Sequence, residues 1–316
     1  MKKLFTIGLV VIMALFMISG DIFAKSYRFS GGPSGGTFQY YASAISTLSK
    51  KHDMNVMASS SGGAIENIRT TNDGKSSFSV TYSGNVYAAS IGKLTNDDTK
   101  YEDVLAVSFL YGAPAQLVVK KSSGITSAKQ LADKRVGVGN AGSGAAANAE
   151  LFFKQLGIWD QMGRENLGYR AAADAFKNGQ LDAFWVFVGY PNASVLEAAL
   201  QTDVNLIDTY KDGEEAGLFK DYPYFAKVTI PANTYNGQTE PVNTFQDAAL
   251  WVANKDVPED VVYNLLKAVY SEEGLAYMVE VHKSAKEMSI ENGIKGIVTK
   301  LHPGAEKFWR EKGVIK

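Results

Sequence analysis

From Tyr27 onward, short apolar runs of strand character alternate with longer segments whose apolar residues recur at helical spacing. Tyr27 to Ser30 predicts a strand, and Gly31-Gly32-Pro33-Ser34-Gly35-Gly36-Thr37 is a turn too rich in Gly and Pro for either element. Phe38, Tyr41, Ala42, Ile45 and Leu48 then fall on one helical face. Asn55 to Ala58 predicts the next strand, Ser59 to Gly63 a second small-residue loop, and Ala64 to Asn72 a second helix. Phe78 to Thr81 predicts a strand that ends at Tyr82-Ser83-Gly84-Asn85 and feeds a helix through Ile91. The pattern restarts near Gln116. Gln116 to Lys120 predicts a strand, Ser127 a cap for a short helix to Ala132, Arg135 to Val138 a strand, and Ala145 to Leu156 a helix. Ala171 to Asn178 predicts another helix, and Asp182 to Val188 a strand apolar enough to be buried on both faces. Beyond Tyr222, Val228 to Ile230 is extended and stopped by Pro231. Ala249 to Ala253 predicts a strand, and Pro258 opens a long amphipathic helix.

A βαβαβα run of this kind predicts an α/β fold of mostly parallel, doubly wound sheet, flanked by helices. Its restart predicts two sheets. The chain is expected to cross between lobes near Tyr111-Gly112-Ala113 and to return near Ala226 to Ile230. Lobe one is then residues 25–111 with 231–316, lobe two residues 112–230, with a hinge between them.

The segment before Tyr27 changes the picture of where the chain works. Met1-Lys2-Lys3 is basic, and Leu4 to Ile18 is apolar but shorter than the roughly 20 residues that span a bilayer. Ser19 to Ala24 is small and polar, so residues 1–24 are expected to be a cleaved signal peptide and the mature protein to be periplasmic. With no cysteine, lipid attachment, disulfides and thiolate-held metals are excluded. Net charge is −1, and −2 once Lys2, Lys3 and Asp21 leave with the leader, which lacks the basic field of a nucleic-acid binder.

Three loops share one physical design, in which a strand ends, small residues follow and a helix begins: Ser34-Gly35-Gly36-Thr37, Ser60-Ser61-Gly62-Gly63 and Gly142-Ser143-Gly144. Unpaired N–H groups at each helix start, and the helix dipole behind them, favour a negative charge. Glycine lets the backbone come close, and a hydroxyl adds a donor. Arg170, read as part of the connector before the Ala171 helix, could hold a carboxylate with two parallel bonds. Tyr82 ends a strand that faces the crevice. Phe184, Trp185 and Phe187 alternate along a buried strand, whose end, Phe187-Val188-Gly189, is placed to touch ligand. Gly137-Val138-Gly139-Asn140-Ala141-Gly142 matches the dinucleotide pattern G-x-G-x-x-G, but the next strand-like segment ends on Gly168-Tyr169-Arg170 with no acid for a ribose. His52, His282 and His302 are scattered without metal-ligand spacing, and no G-x-S-x-G elbow occurs. No cofactor, metal or catalytic residue is therefore expected, and the protein is not expected to be an enzyme.

Taken in order, these loops resemble the TAXI class of extracytoplasmic receptors, which serve tripartite (TRAP) transporters. The resemblance rests on Gly35-Gly36-Thr37, on the run from Leu131 to Gly139, and on Gly142-Ser143-Gly144. It continues through the run from Gly179 to Phe184, Gly189-Tyr190-Pro191, Tyr235-Asn236-Gly237 and His302-Pro303-Gly304-Ala305. It implies a two-lobed periplasmic-binding-protein fold of type II, a small anionic ligand such as a glutamate-like amino acid or a 2-oxo or dicarboxylate, and an ion-coupled permease in the inner membrane as partner. Carried over, the ligand-holding positions are Ser34, Gly35, Gly36, Thr37 and Phe38; Ser61 and Gly62; Tyr82 and Ser83; Ser143, Gly144 and Ala145; and Phe187, Val188 and Gly189. The chain departs from the family at Ser61-Gly62-Gly63-Ala64, where Gly-Ser is more usual, and at Gly112-Ala113, where an acidic residue is often seen. A second reading keeps the ligand but makes the partner a membrane sensor kinase.

Overall fold

The structure, a computed structural model, describes residues 26–94, 97–222 and 224–316; the expected signal peptide lies outside them. Ten strands form one continuous mixed sheet. At one end β1 (Tyr27–Ser30) lies between β2 (Val56–Ser59) and β3 (Phe78–Tyr82), all parallel. At the other end β5 (Arg135–Gly137) lies between β6 (Gly163–Glu165) and β7 (Ala183–Phe187), again parallel. The helices α1 (Thr37–Lys50), α2 (Ala64–Asn72), α3 (Ser83–Ser90), α4 (Gly144–Gln155), α5 (Tyr169–Lys177) and α6 (Ala193–Ala199) follow strands of these two triplets. Each starts near where its strand ends, as the alternating pattern requires.

The centre differs from expectation. Two separate sheets were expected, but the 17-residue β4 (Val104–Lys120) and the 13-residue β10 (Val242–Asn254) run antiparallel through the middle and join the triplets. β10 pairs with β3 on one side, and β4 with β7 on the other. β9 (Ala226–Ile230) adds to β10, and β8 (Val204–Leu206) to β4. The sequence pattern caught only the ends of the long strands, Gln116 to Lys120 and Ala249 to Ala253. Gly112-Ala113-Pro114 reads as a break, yet the strand continues through it. Pro114 sits where β4 leaves β10, whose Gln246 it faces, and takes β7 from Ala115 onward, so its missing N–H falls at an exchange of partners.

The main core cluster crosses that exchange. Phe29, Tyr41 and Trp251 belong to the same apolar cluster as Phe152, Trp185 and Trp309, and all six are almost fully buried. Trp185 stacks on Phe187 with rings 7° from parallel and 6.1 Å apart. A second cluster, containing Phe176, Phe184 and Val186, fills the opposite face of β7. Among the described residues no helix is long and apolar enough to cross a membrane.

Candidate functional site

The carboxyl ends of β1, β3, β5 and β7 open onto one cavity of about 640 Å³, where a doubly wound sheet places its ligand crevice. Its wall takes Ser34 to Phe38 from the start of α1, Gly63 and Ala64 from the start of α2, and Tyr82 from the end of β3. Ser143 to Ala145 from α4, Gly168 to Ala171 from α5, Val188 beyond β7, and Ala193, Ser194 and Glu197 from α6 complete it, with Asn140 in the loop after β5.

Three of these helix starts carry no capping side chain: Gly36 before α1, Gly63 before α2 and Gly168 before α5. Their first N–H groups are left for solvent or a guest, at the positive end of each helix dipole. Two others are closed by their own caps. The Ser143 hydroxyl accepts from Ala146 N–H at 3.1 Å, and the Asn192 amide oxygen from Ser194 N–H at 3.0 Å. Gly35 has φ of +80°, which a side chain would strain, and this turn lets α1 begin facing the cavity.

Arg170 is exposed on this wall and makes no ion pair among the described residues. It lies within α5 as its second residue, not in a connector, because Gly168 already ends the extended segment and takes the N-cap position. The acid in the same wall is matched from outside it: Lys177 binds Glu197 at 2.9 Å and Asp174 at 2.7 Å. The Asp174 carboxyl is held below its usual range, first by Lys177 and more weakly by Arg170. Arg170, with Asp174 only as a weak electrostatic neighbour, thus keeps its guanidinium open to a guest, while the acid of the wall is already paired.

Eleven of the residues expected from sequence meet here: Ser34, Gly35, Gly36, Thr37, Phe38, Tyr82, Ser143, Gly144, Ala145, Arg170 and Val188. Five lie outside the wall. Ser61 turns inward, its hydroxyl donating to Gly31 C=O at 3.2 Å and accepting from Gly63 N–H at 3.2 Å, while Gly62 N–H donates to Glu66 at 2.9 Å. That loop therefore presents Gly63 and Ala64 instead. The Ser83 hydroxyl, buried at the first residue of α3, donates to Gly296 C=O. The Phe187 ring belongs to the core, and Gly189 is pressed against Ser284 and Tyr111.

Phe187 reaches the site through its backbone. Its carbonyl accepts from the Tyr82 hydroxyl at 2.6 Å and from the Tyr169 hydroxyl at 3.1 Å, so β3 and the start of α5 meet over the end of β7. Burial pushes both phenols up, so they stay neutral donors. A side chain on Gly144 would strike the Tyr82 ring at 2.6 Å and Ala64 at 2.8 Å, which is why only glycine fits there. Thr37 is backed by His282, whose Nε2 lies 3.5 Å from its hydroxyl and whose Nδ1 pairs with Ser284 at 2.8 Å. Burial lowers the His282 pKa and favours the neutral ring.

Sequence reasoning missed Asn140, Tyr169, Ser194 and Glu197. Pro191-Asn192 ahead of Ala193 is a helix-start signal that could have pointed to Ser194; nothing local marks Glu197. The glycines of the dinucleotide-like pattern have packing duties. Gly137 leaves room for Leu181 and Ala172, and Gly139, at φ +98°, lets the chain pass close to Ala146 N. Where the TAXI receptors often carry an acid, near Gly112, a carboxylate does arrive from elsewhere: Gly112 N–H donates to Glu287 at 3.2 Å. Among the described residues no three His, Asp or Glu side chains gather as a metal-binding group.

The profile of the NMT1-like family matches residues 29–313. The structure is similar to that of MatC from Rhodopseudomonas palustris with bound malate, at a TM-score of 0.53 and 15% identity, covering 92% of this chain and 99% of that one. It is also similar to a protein of Bordetella bronchiseptica RB50, at a TM-score of 0.51 and 15% identity, covering 89% of this chain and 83% of that one. A weaker likeness, at a TM-score of 0.49 and 13% identity, is to a nutrient binding protein from Burkholderia cenocepacia bound to methionine, with 82% and 98% of the two chains covered. The first two likenesses show a shared α/β fold.

Proposed function

The chain belongs to the NMT1-like family, and on that premise we propose that it is an exported, periplasmic receptor that binds a small carboxylate without chemistry and passes it to a transporter. The observation that carries this reading is the set of helix starts without capping side chains, Gly36, Gly63 and Gly168, around a cavity of about 640 Å³ in which Arg170 has no ion-pair partner. Backbone donors at helix N-termini and a forked guanidinium together suit a carboxylate. Malate in the similarly folded MatC agrees with that chemistry. The resemblance to TAXI receptors makes the partner an ion-coupled TRAP permease. The site residues are those of the cavity wall, with Gly63, Ala64, Asn140, Tyr169 and Ser194 added to the expected set and Ser61, Gly62, Ser83 and Gly189 supporting it from behind.

Residues 25–111 with 231–316 form one half of this reading and residues 112–230 the other. The partner exchange at Pro114, and the return of the chain through β9 and β10, make the two crossings neighbours, which suits hinge closure over the guest. The test is a thermal-shift screen of malate, glutamate, 2-oxoglutarate and their amides, because a ligand that binds only the folded chain raises its Tm. Carboxylates are expected to raise Tm and the amides to do so less. Arg170→Ala is expected to weaken the best ligand roughly ten-fold or more, the worth of a charge-assisted bond. Unchanged affinity by calorimetry, or a screen in which no carboxylate acts, rejects the reading.

A further inference from the structure

Behind the wall formed by Ala64, Tyr82 and Ala145 lies a second cavity of about 350 Å³, onto which Ile65, Gly84 and Ala147 face. Helix α3 and the segment after it form one side, helix α4 another, and Asp247 of β10 is in its lining. Asp247 is 2% exposed and makes no ion pair among the described residues. Its carboxylate accepts from Gly84 N–H at 3.0 Å, in the first turn of α3, and from its neighbour Ala248 N–H at 2.7 Å. It stands on the strand that crosses between the proposed halves, opposite Ala113. Tyr82 is the N-cap residue of the same helix α3, and its hydroxyl bridges to Phe187. One carboxylate thus touches the crossing strand and the helix whose start holds the bridge over the ligand cavity.

We propose that Asp247 is a positioning residue of the ligand cleft, acting through Gly84 and Tyr82, and that closing the cleft takes up a proton on its carboxyl group. The proposal rests on the reading that the halves close over a guest. On that reading this arrangement is the closed one: residues of α3 and α4 line the cavity beside a carboxyl that is itself buried, so its charge is costly. Separating them admits water and favours the ionised form. The other titratable groups facing this cavity are Tyr222 and Tyr224 before β9, Lys93 after α3, and Glu150 and Lys154 on α4. Glu150 and Lys154 pair with each other at 2.6 Å, and Tyr224 is pushed far up by burial, with Asp247 adding to the effect. None of them forms an ion pair with Asp247. In agreement, burial raises the Asp247 pKa to about 7, against smaller lowering by the Gly84 and Ala248 N–H groups.

The experiment is small-angle scattering of the ligand-free protein between pH 4 and 8, with wild type, Asp247→Asn and Asp247→Glu. Wild type is expected to expand as pH rises from about 4 toward about 7 and to change no further above that, the interval in which closing takes up the proton. Asp247→Asn is expected to stay compact throughout, and Asp247→Glu to recover the expansion. A wild-type radius that does not change overturns the proposal without any variant, as does an Asp247→Asn protein that is folded by circular dichroism and still expands. Because no ligand is added, a failed carboxylate screen leaves this result standing, and the two readings fail separately.

Discussion

Asp247 and Arg170 show how differently one charge behaves in two surroundings. Arg170 is exposed at the edge of its cavity, where a ligand could supply its ion-pair partner. Asp247 has only two backbone donors for a charge removed from water, and its pKa rises from 3.8 to about 7. The stability consequence has a definite sign. The unfolded chain ionises near 3.8 while the folded chain holds the proton to about 7, so the folded state binds more protons between those values. The stabilisation is therefore full below about pH 4, is lost as pH rises toward 7, and is flat above. Asp97, held low by Arg69 and Tyr101, and Glu273, held low by Lys51, work in the opposite sense and lose their contribution as pH falls into the acid range. Asp247→Asn is expected to remove the decline between pH 4 and 7. Measured Tm differences between variant and wild type should then grow in the variant's favour across that window; a constant difference would show that Asp247 does not titrate there. The behaviour of Asp247 was not legible locally, since Gln246-Asp247-Ala248 looks like any polar step beside an apolar strand.

At the scale of elements, helix starts and strand ends were readable because their signals are local. Ser127 and Ser143 cap the helices they precede, and the Gly-rich turn after β1 opens α1, whereas the equally local Asn192 cap of α6 went unread. What holds these elements in register is less visible. Asn67, on the buried side of α2, donates through Nδ2 to Gly31 C=O at 2.6 Å and to Val80 C=O at 2.7 Å. It ties the turn after β1 to β3, and so ties two walls of the candidate cavity together. Asn67→Leu leaves both carbonyls without that donor in a dry place. The expected cost is about 1–3 kcal/mol in a urea titration, with a loss of ligand affinity larger than that of a surface change on the same helix. A variant as stable as wild type would remove Asn67 from this role. The length of β4 stayed hidden because Gly112 and Pro114 signal an end, and only the exchange of strand partners makes them tolerable inside a strand.

For the whole molecule, the decisive feature is the antiparallel pair β4 and β10, which turns two parallel triplets into one sheet. The apolar cluster under it includes Trp251 and Phe29 near one triplet and Trp185 and Phe152 near the other. Breaking either part exposes the other, so the described chain is expected to unfold in one cooperative step. Tryptophan fluorescence, reporting the buried Trp185, Trp251 and Trp309, should give the same midpoint as far-ultraviolet circular dichroism. Two resolved transitions would instead mark the proposed halves as independent folding units. Hinge motion remains compatible with one step, because bending two crossing strands leaves most of the core in place.

By itself the sequence determined the alternation of strands and helices and the glycine-opened helix starts. Each depends on residues within a few positions of one another, where backbone preference and hydrogen bonding act directly. Tertiary structure alone decided that Ser61 and Gly62 turn away while Gly63 and Ala64 face the cavity, that Tyr169 joins Tyr82 over Phe187, and that Glu287 brings a carboxylate to Gly112. It also decided that two sheets became one. These outcomes depend on which distant groups compete for the same donor or the same volume, and that competition exists only once the chain has folded.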